Sequence, residues 1–195
     1  MSGSAAEQTG PAGAAAEALR AAFIQGMSHV ACTVNVVTTD GAAGRAGMTV
    51  SAMSSVSADG PQPTLLICVH HKSLTAQKII DNGVFCVNIL KADQAHISDC
   101  FAGRFPEMAR DRFDCASWMP MPSGAPRVID PLVAFDCRVS SAARVGSHHV
   151  IFGETGDVFV ATTGSPLIYQ QRAYGAASPI NPPAASATSR TGGAR

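Results

Sequence analysis

The segment from Gly44 to Ile79 constrains the fold most, because its apolar pattern changes from strand to helix within a few residues. "MTVSAMSSVS" alternates with a period of two, and "TLLICVH" is a continuous apolar run typical of a buried strand. A helix pattern then runs from Ser73 to Gly83, a residue suited to a helix end. Lys72, Ser73 and Thr75 lie at its start, where hydroxyls, backbone N–H groups and a cation suit a phosphate.

The alternating segment predicts one continuous strand with an apolar inner face and a hydroxyl-rich outer face. Met48, Val50, Ala52 and Val56 are expected to face the core. The chain contains neither a G-x-G-x-x-G nor a G-x-x-x-x-G-K-[ST] motif, so a phosphorylated cofactor is expected on a β scaffold rather than a Rossmann fold.

The remaining patterns predict three helices and five to seven strands. A helix fits Ala14 to Met27, with an apolar stripe at Leu19, Phe23 and Met27. "ACTVNVVTTD" and "VFCVNIL" read as strands on either side of the central segment, with a turn at "DGAAGR". Because helices and strands do not alternate strictly, a barrel with helices at its rim is favoured.

The second half of the chain continues this pattern. "ADQAHISDCFAG" predicts a helix capped by Asp93, with Ile97, Cys100 and Phe101 facing inward. Two long strands are expected to meet at Gly146, and "LIYQQRAYG" closes the domain.

Domain limits follow from composition. Residues 1–13 and 176–195 are rich in small residues and are expected to be disordered tails. One domain is predicted over residues 14–175.

Composition limits the class of partner. Only 14% of the 195 residues are charged, against about 25% in a typical globular domain, so part of the surface is expected to be buried against another chain. The formal net charge is zero, which argues against nucleic acid or an anionic membrane as partner. No apolar run approaches the roughly 20 residues that span a bilayer. The absence of a secretory signal pattern and of C-x-x-C pairs among the six cysteines favours a cytoplasmic protein with reduced thiols.

Five segments, in order, resemble the flavin reductase family. They are "TVNVVTT" from Thr33, "GMTVSAMSSVS" from Gly47, "CVHHKSLT" from Cys68, "GSHHVIFGE" from Gly146 and "PLIYQQRAYG" from Pro166. The resemblance implies an α+β fold, mainly β: a split β-barrel of the FMN-binding type with peripheral helices. It also implies a homodimer that uses NADH or NADPH to reduce FAD or FMN. The reduced flavin would serve a separate oxygenase, of the chlorophenol or hydroxyphenylacetate monooxygenase type.

The resemblance further implies where a flavin would lie: along the barrel strands for the ring, and at the helix start for the phosphate. The flavin-binding residues it implies are Thr33, Val34, Asn35, Val36, Thr49, Val50, Ser51, Ser54, Ser55, Cys68, His70, Lys72, Ser73, Thr75, Phe101, Ala102 and Gly103. Ser54 and Ser55 are expected further along the same strand as Thr49.

His148, Arg172 and Tyr174 are the residues implied for NAD binding, and His148 is implied as the catalytic residue that orients the nicotinamide. His149 is expected on the opposite face of the strand. Ser147 departs from the family, which usually has Asp at this position, and this change bears on how the pyridine nucleotide is oriented. Hydride transfer between two cofactors needs positioning rather than an acid–base pair, and the chain has neither G-x-S-x-G nor H-E-x-x-H.

Three alternatives remain open from the residues. Cys68, His70, His71, His148 and His149 include both ligand types that zinc prefers. A split-barrel protein could bind flavin or haem without turnover. A pyridoxamine-phosphate-type oxidase shares the fold, but it needs a basic cluster for the substrate phosphate.

Overall fold

The computed structural model describes residues 11–105 and 111–180. Most of the two predicted tails therefore lies outside the described residues. Helices α1, α2 and α3 span Pro11–Ser28, Leu74–Asn82 and Ala95–Phe101. The strands are β1 Cys32–Thr33, β2 Asn35–Thr39, β3 Ala46–Val50, β4 Met53–Ser57, β5 Thr64–His70, β6 Val84–Ile89, β7 Trp118–Pro120, β8 Pro126–Val128, β9 Val133–Val145, β10 His148–Val160, β11 Leu167–Gln170 and β12 Ala173–Ala176.

Seven strands form the main sheet, in the order β3-β2-β6-β9-β10-β5-β4 with antiparallel pairing throughout. Its two edge strands, β3 and β4, are consecutive in sequence and are joined by Ser51 and Ala52 alone. This short link brings the two edges together, so the sheet curls into a barrel. The mainly β architecture with helices, predicted from the sequence, is confirmed.

The predicted single strand through "MTVSAMSSVS" is wrong, because the chain changes neighbour at the link. β3 pairs with β2, whereas Cys68 on β5 donates its N–H to the Ala52 carbonyl (3.0 Å), and β4 then follows β5. Val56, expected in the core, is 50% exposed. The strand ends at the link because the following residues pair with β5 rather than with β2. The alternation of apolar and polar residues continues through the link and does not predict this end.

Two apolar cores lie on opposite faces of β2. Val37 packs with Ile67 and Phe85 in one core, and Val36 packs with Leu90 and Phe101 in the other. Successive side chains of a strand point to opposite faces, so β2 is buried along its whole length. This central strand holds its neighbour β3, which carries part of the candidate site, in a fixed position.

The predicted α2 is confirmed, and α3 needs a correction. Gly83 ends α2 with φ of 69°, a left-handed conformation that favours glycine. Asp93 does not cap α3, because a 3-10 turn over Ala92–Gln94 precedes the helix and places Asp93 inside that turn. Ile97, Cys100 and Phe101 are buried, as predicted.

Helix α1 begins at Pro11, three residues before the predicted start. Its apolar stripe is exposed: Leu19, Phe23 and Met27 expose 72%, 66% and 50% of their surfaces. The helix end is tied to the β11–β12 turn, where Gln171 donates its N–H to the Ser28 carbonyl (2.7 Å). The stripe is therefore available to a partner surface.

Candidate functional site

Ser73 and Thr75 lie in the turn at the start of α2. Ser73 is the N-cap, and its Oγ accepts the Thr75 N–H at 3.2 Å. The Thr75 hydroxyl donates to the Gly47 carbonyl (3.2 Å), which fixes the turn against β3. Because the first N–H groups of a helix have no partner within it, and the helix dipole is positive there, such a turn suits an anion.

A cleft of about 720 Å³ opens in front of this turn. It is lined by Arg45, Ala46, Gly47, Ser73, Leu74, Thr75, Lys78, Phe101, Asp111, Arg112 and Phe113. Gly47 is required where β3 passes α3, because a Cβ there would lie 2.6 Å from Phe101 Cε1. The volume is in the usual range for small-molecule sites, roughly 300–1,000 Å³.

Sequence reasoning missed the cations of this cleft. Arg45 lies at the end of the predicted turn "DGAAGR", and Arg112 lies far along the chain, so only tertiary structure brings them together. A signal for Lys78 existed, because it follows Thr75 by three residues and so shares a helix face with it.

A second, smaller cavity of about 170 Å³ lies along β3, next to α3. It is lined by Val34, Thr49, Val50, Ser51, Ser98, Ala102, Arg104, Tyr169 and Tyr174. The Thr49 hydroxyl donates to the Ser98 carbonyl at 2.7 Å, which joins the strand to the helix. The structure thus gathers five of the predicted flavin residues and Tyr174 around one cavity.

Tyr174 is held by a polar network on α3. Its hydroxyl lies 2.7 Å from Asp99 Oδ1 and 2.9 Å from Ser98 Oγ, and the Arg104 guanidinium lies over its ring at 5.5 Å. Arg104 also forms an ion pair with Asp99 at 2.9 Å. Partial burial, assisted by the Asp99 carboxylate, raises the pKa of Tyr174, so the phenol stays protonated near neutral pH.

His148 lies at the start of β10, in a turn that packs against the end of β5. The His71 N–H donates to the Ser147 carbonyl (3.0 Å), and the His70 and His148 rings meet edge to face, with centroids 5.2 Å apart. His148 Nδ1 lies 3.0 Å from Ser147 Oγ. The hydroxyl of Ser147 therefore contacts the imidazole of His148.

Next to this pair, His71 stacks on His70 with centroids 5.1 Å apart. Desolvation, followed by the positive charge of Arg144, lowers the pKa of His71 from its usual value. Its Nε2 lies 3.4 Å from Arg144 Nη2. A neutral His71 therefore fits this arrangement at pH 7.

Several predicted residues line neither cavity. Lys72 is exposed beside Ser73, and its N–H donates to His70 Nδ1 at 3.2 Å. Asn35 is fully buried and its amide donates to the Thr33 and Val50 carbonyls, so it braces the strands. Val36 belongs to the core, Cys68 lies within β5, and Gly103 follows α3 with φ of 74°.

Three predicted residues lie elsewhere. Ser54 and Ser55 are on β4, not on the strand of Thr49 as expected, and they line a separate apolar groove of about 470 Å³ with Phe135 and Val158. Arg172 lines a groove beside α1 and does not line the cavity of Tyr174. Its φ of 63° places it in the tight β11–β12 turn.

Within residues 11–105 and 111–180, no three His, Cys, Asp or Glu side chains are placed to hold a metal ion. None of the described helices is long and apolar enough to cross a membrane.

A curled antiparallel barrel with helices at its rim is the split β-barrel fold of flavin reductases such as PheA2. The chain belongs to the flavin reductase family, since residues 27–178 match the flavin reductase like domain. The resemblance found in the five sequence segments is thereby confirmed.

Relatives and solved structures agree with this assignment. The chain is 41% identical over 154 residues to "FMN reductase (NADH) RutF" of Methylorubrum extorquens, covering 79% of this chain and 73% of that protein. The flavin reductase PheA2 superposes with a TM-score of 0.73 at 27% identity, over 82% of this chain and 98% of that one. BorF, the flavin reductase component of a bacterial two-component tryptophan halogenase, superposes with a TM-score of 0.69 at 28% identity, over 83% and 97% of the two chains.

Proposed function

We propose that this protein is an NADH-dependent flavin reductase that supplies reduced FMN or FAD to a separate oxygenase. The main support is that the turn at the start of α2 is joined to β3 by the hydrogen bond from the Thr75 hydroxyl to the Gly47 carbonyl. This arrangement lies on a fold whose relatives include a protein named FMN reductase (NADH). The oxygenase partner is supported by neighbours such as BorF, a component of a two-component system.

The donor set fits a flavin phosphate. Ser73 lies at the N-cap of α2, where the helix dipole is positive, and the exposed Lys72 supplies a nearby cation. Thr49, Val50 and Ser51 form an extended backbone beside the second cavity, where peptide groups can pair with the edge of a flat heterocycle.

A bound nicotinamide and flavin would supply the hydride chemistry, which passes between the two cofactors. The protein's part is then to hold the rings in contact and exclude water. His148 orients the carboxamide of the nicotinamide by hydrogen bonding, and Ser147 fixes the imidazole through Nδ1. Tyr174 contributes a rigid ring at the side of the flavin cavity, locked by Asp99 and Ser98.

The assembly we propose is a homodimer in which the exposed stripe of α1, at Leu19, Phe23 and Met27, is covered by the second subunit. An obligate interface of this kind should bury on the order of 2,000 Å² or more. Sedimentation of a stable monomer at micromolar concentration would contradict it.

The decisive experiment for the reaction is anaerobic mixing of the protein with NADH and each of FMN, FAD and riboflavin. We expect NADH-dependent bleaching of FMN or FAD, and a matched rate of NADH oxidation in steady state. Flavin binding without any NADH oxidation would instead favour a non-catalytic flavin-binding protein.

A further inference from the structure

The β7–β8 hairpin carries a buried arginine whose donors are not all used. Arg127 lies on β8 and is 8% exposed. Its Nε and Nη1 atoms are buried and have no hydrogen-bond partner among the described residues. Burying the N–H groups of a cation without an acceptor is costly, so this guanidinium is suited to take a further acceptor atom.

The carboxylate next to this hairpin does not satisfy Arg127. Asp136 on β9 contacts the hairpin turn, where it accepts hydrogen bonds from the N–H (2.9 Å) and the hydroxyl of Ser123. No carboxylate within residues 11–105 and 111–180 forms an ion pair with Arg127. One face of the guanidinium is covered by the Phe159 ring, whose centre lies 3.9 Å from Arg127 Cζ. A further acceptor is therefore expected to approach an edge of the guanidinium.

Met119 lies at such an edge. It is directly opposite Arg127 in the antiparallel pair, and Arg127 Nη2 contacts its Sδ. In a guanidinium, Nη2 forms one donor edge with Nε and the other with Nη1. An oxygen atom attached to Sδ can therefore reach a donor that has no partner. The flexible side chain of Met allows the group to turn toward it, whereas the thioether itself is only a weak acceptor.

Met119 is also accessible to a small oxidant in solution. It is 42% exposed, whereas Met121, two residues further along the chain, is 7% exposed. The two methionines therefore differ in access although they lie in the same hairpin.

We propose that Met119 is a site of oxidation by hydrogen peroxide, and that Arg127 binds the sulfoxide that forms. In this reaction the O–O bond of the peroxide breaks and one oxygen forms a bond to Sδ. The other oxygen leaves as water with both protons, so the sulfur loses two electrons and the peroxide gains them. The sulfoxide oxygen then supplies the acceptor that the buried guanidinium lacks.

The source of the oxidant rests on the proposed function, but the site does not. A reduced flavin that no oxygenase consumes can pass two electrons and two protons to O2, which gives hydrogen peroxide and oxidised flavin. Oxidation of a methionine usually places a polar group among apolar ones and disturbs their packing. At Met119 we expect the opposite, so that the hairpin keeps its structure when peroxide is formed.

The test treats the full-length protein with added hydrogen peroxide, without flavin or NADH, so its result does not depend on reductase activity. Peptide mass spectrometry should find the sulfoxide at Met119 before it appears at Met121. Met119→Leu is the matched control, because Leu is not oxidised and the comparison subtracts oxidation elsewhere in the chain. The change in Tm on treatment should be at least about 2 °C more positive in wild type than in Met119→Leu.

Two further variants test the role of the guanidinium. Arg127→Met removes its donors and keeps a long side chain, so in this background the same comparison, with and without Met119→Leu, should show no gain in Tm. Met119→Gln places a carbonyl oxygen near the guanidinium without any oxidation. Its Tm should equal or exceed that of Met119→Leu, and this measurement tests the inference if Arg127→Met fails to fold.

Four outcomes would overturn the inference. They are the absence of a sulfoxide at Met119, a change in Tm on oxidation that is no more positive in wild type than in Met119→Leu, an equal gain in the Arg127→Met background, and a Met119→Gln protein less stable than Met119→Leu. A protein without reductase activity that passes these tests would contradict the proposed function alone, so the two hypotheses can fail separately.

Discussion

His148 on β10 and His70 on β5 are directly opposite each other in the antiparallel pair, with their rings edge to face. This contact brings the segment proposed to face NADH beside the turn proposed to hold flavin phosphate. His149, the next residue along β10, points to the other face of the strand. The two neighbouring histidines therefore make a matched pair for testing the site.

We expect His148→Ala to lower kcat/KM for NADH by roughly 10–100-fold, about 1.4–2.7 kcal/mol, and to leave flavin binding unchanged. His149→Ala should have little effect on either quantity. Stopped-flow measurement of flavin reduction by NADH separates the two variants. Equal losses, or weaker flavin binding in His148→Ala, would mean that the nicotinamide is assigned to the wrong residues.

Ser73→Asp tests the proposed phosphate-binding turn at the start of α2 without removing the helix cap. Asp is as good an N-cap as Ser, so the free energy of unfolding should stay within about 0.5 kcal/mol of wild type. A carboxylate at this position repels a phosphate, so binding of FMN and FAD should fall at least about 10-fold, while riboflavin binding stays close to wild type. Parallel titrations with the three flavins measure this, and unchanged FMN binding would remove Ser73 from the site.

Gly47→Ala should destabilise the protein by about 1–3 kcal/mol, because its Cβ would overlap the buried Phe101 ring. Gly156→Ala on β10 is the control, since no neighbouring atom lies within 4 Å of a Cβ built there. Urea unfolding of both variants measures the difference. Equal stability of the two would show that β3 and α3 separate easily.

Tyr174→Phe removes the hydroxyl that lies near Asp99 and Ser98. We expect the free energy of unfolding to fall by about 1–2 kcal/mol, because part-buried acceptors lose their donor. Flavin binding should weaken more in Tyr174→Ala than in Tyr174→Phe if the ring itself lines the ligand. Chemical unfolding and flavin titration of both variants check this, and identical binding in the two would exclude a role for the ring.

Arg144→Gln should raise the pKa of His71 part of the way back to 6.5, because desolvation, the larger cause of the depression, persists. A histidine whose pKa is depressed on folding contributes stability that is present above pH 6.5 and is lost as the pH falls through and below that value. The variant should therefore lose less stability between pH 7 and pH 5 than wild type. NMR titration of the His71 ring protons measures the shift, and an unchanged His71 titration would contradict the charge effect.

The sequence predicted the ends of α2 correctly, because these ends depend only on residues close together in the chain. Ser73 and Gly83 bound α2 as expected, because a side-chain cap and a left-handed glycine act over a few residues. The break at Ser51 and Ala52 was not predictable in this way, because alternation continues through it and only the pairing of β5 imposes the change.

Some residues of the candidate site could be predicted from the sequence, and others could not. Ser73, Thr75 and Thr49 lie in contiguous motifs, so the sequence alone could single them out. Arg45 and Arg112 meet only because the barrel and the segment after α3 bring distant parts of the chain together. Arg45 and Arg112 belong to no sequence motif, so a single sequence does not predict that they line the same cleft.

The two-residue link between β3 and β4 also bears on the order in which this chain folds. Three hairpins, β2–β3, β4–β5 and β9–β10, connect strands that are close in sequence and can form early. The link keeps β3 and β4 adjacent from the start, but the barrel closes only when the distant pairs β2–β6 and β5–β10 are in place. The edge proposed to face flavin is thus expected to become native last, and newly made chains should gain flavin affinity only in the slowest phase of refolding.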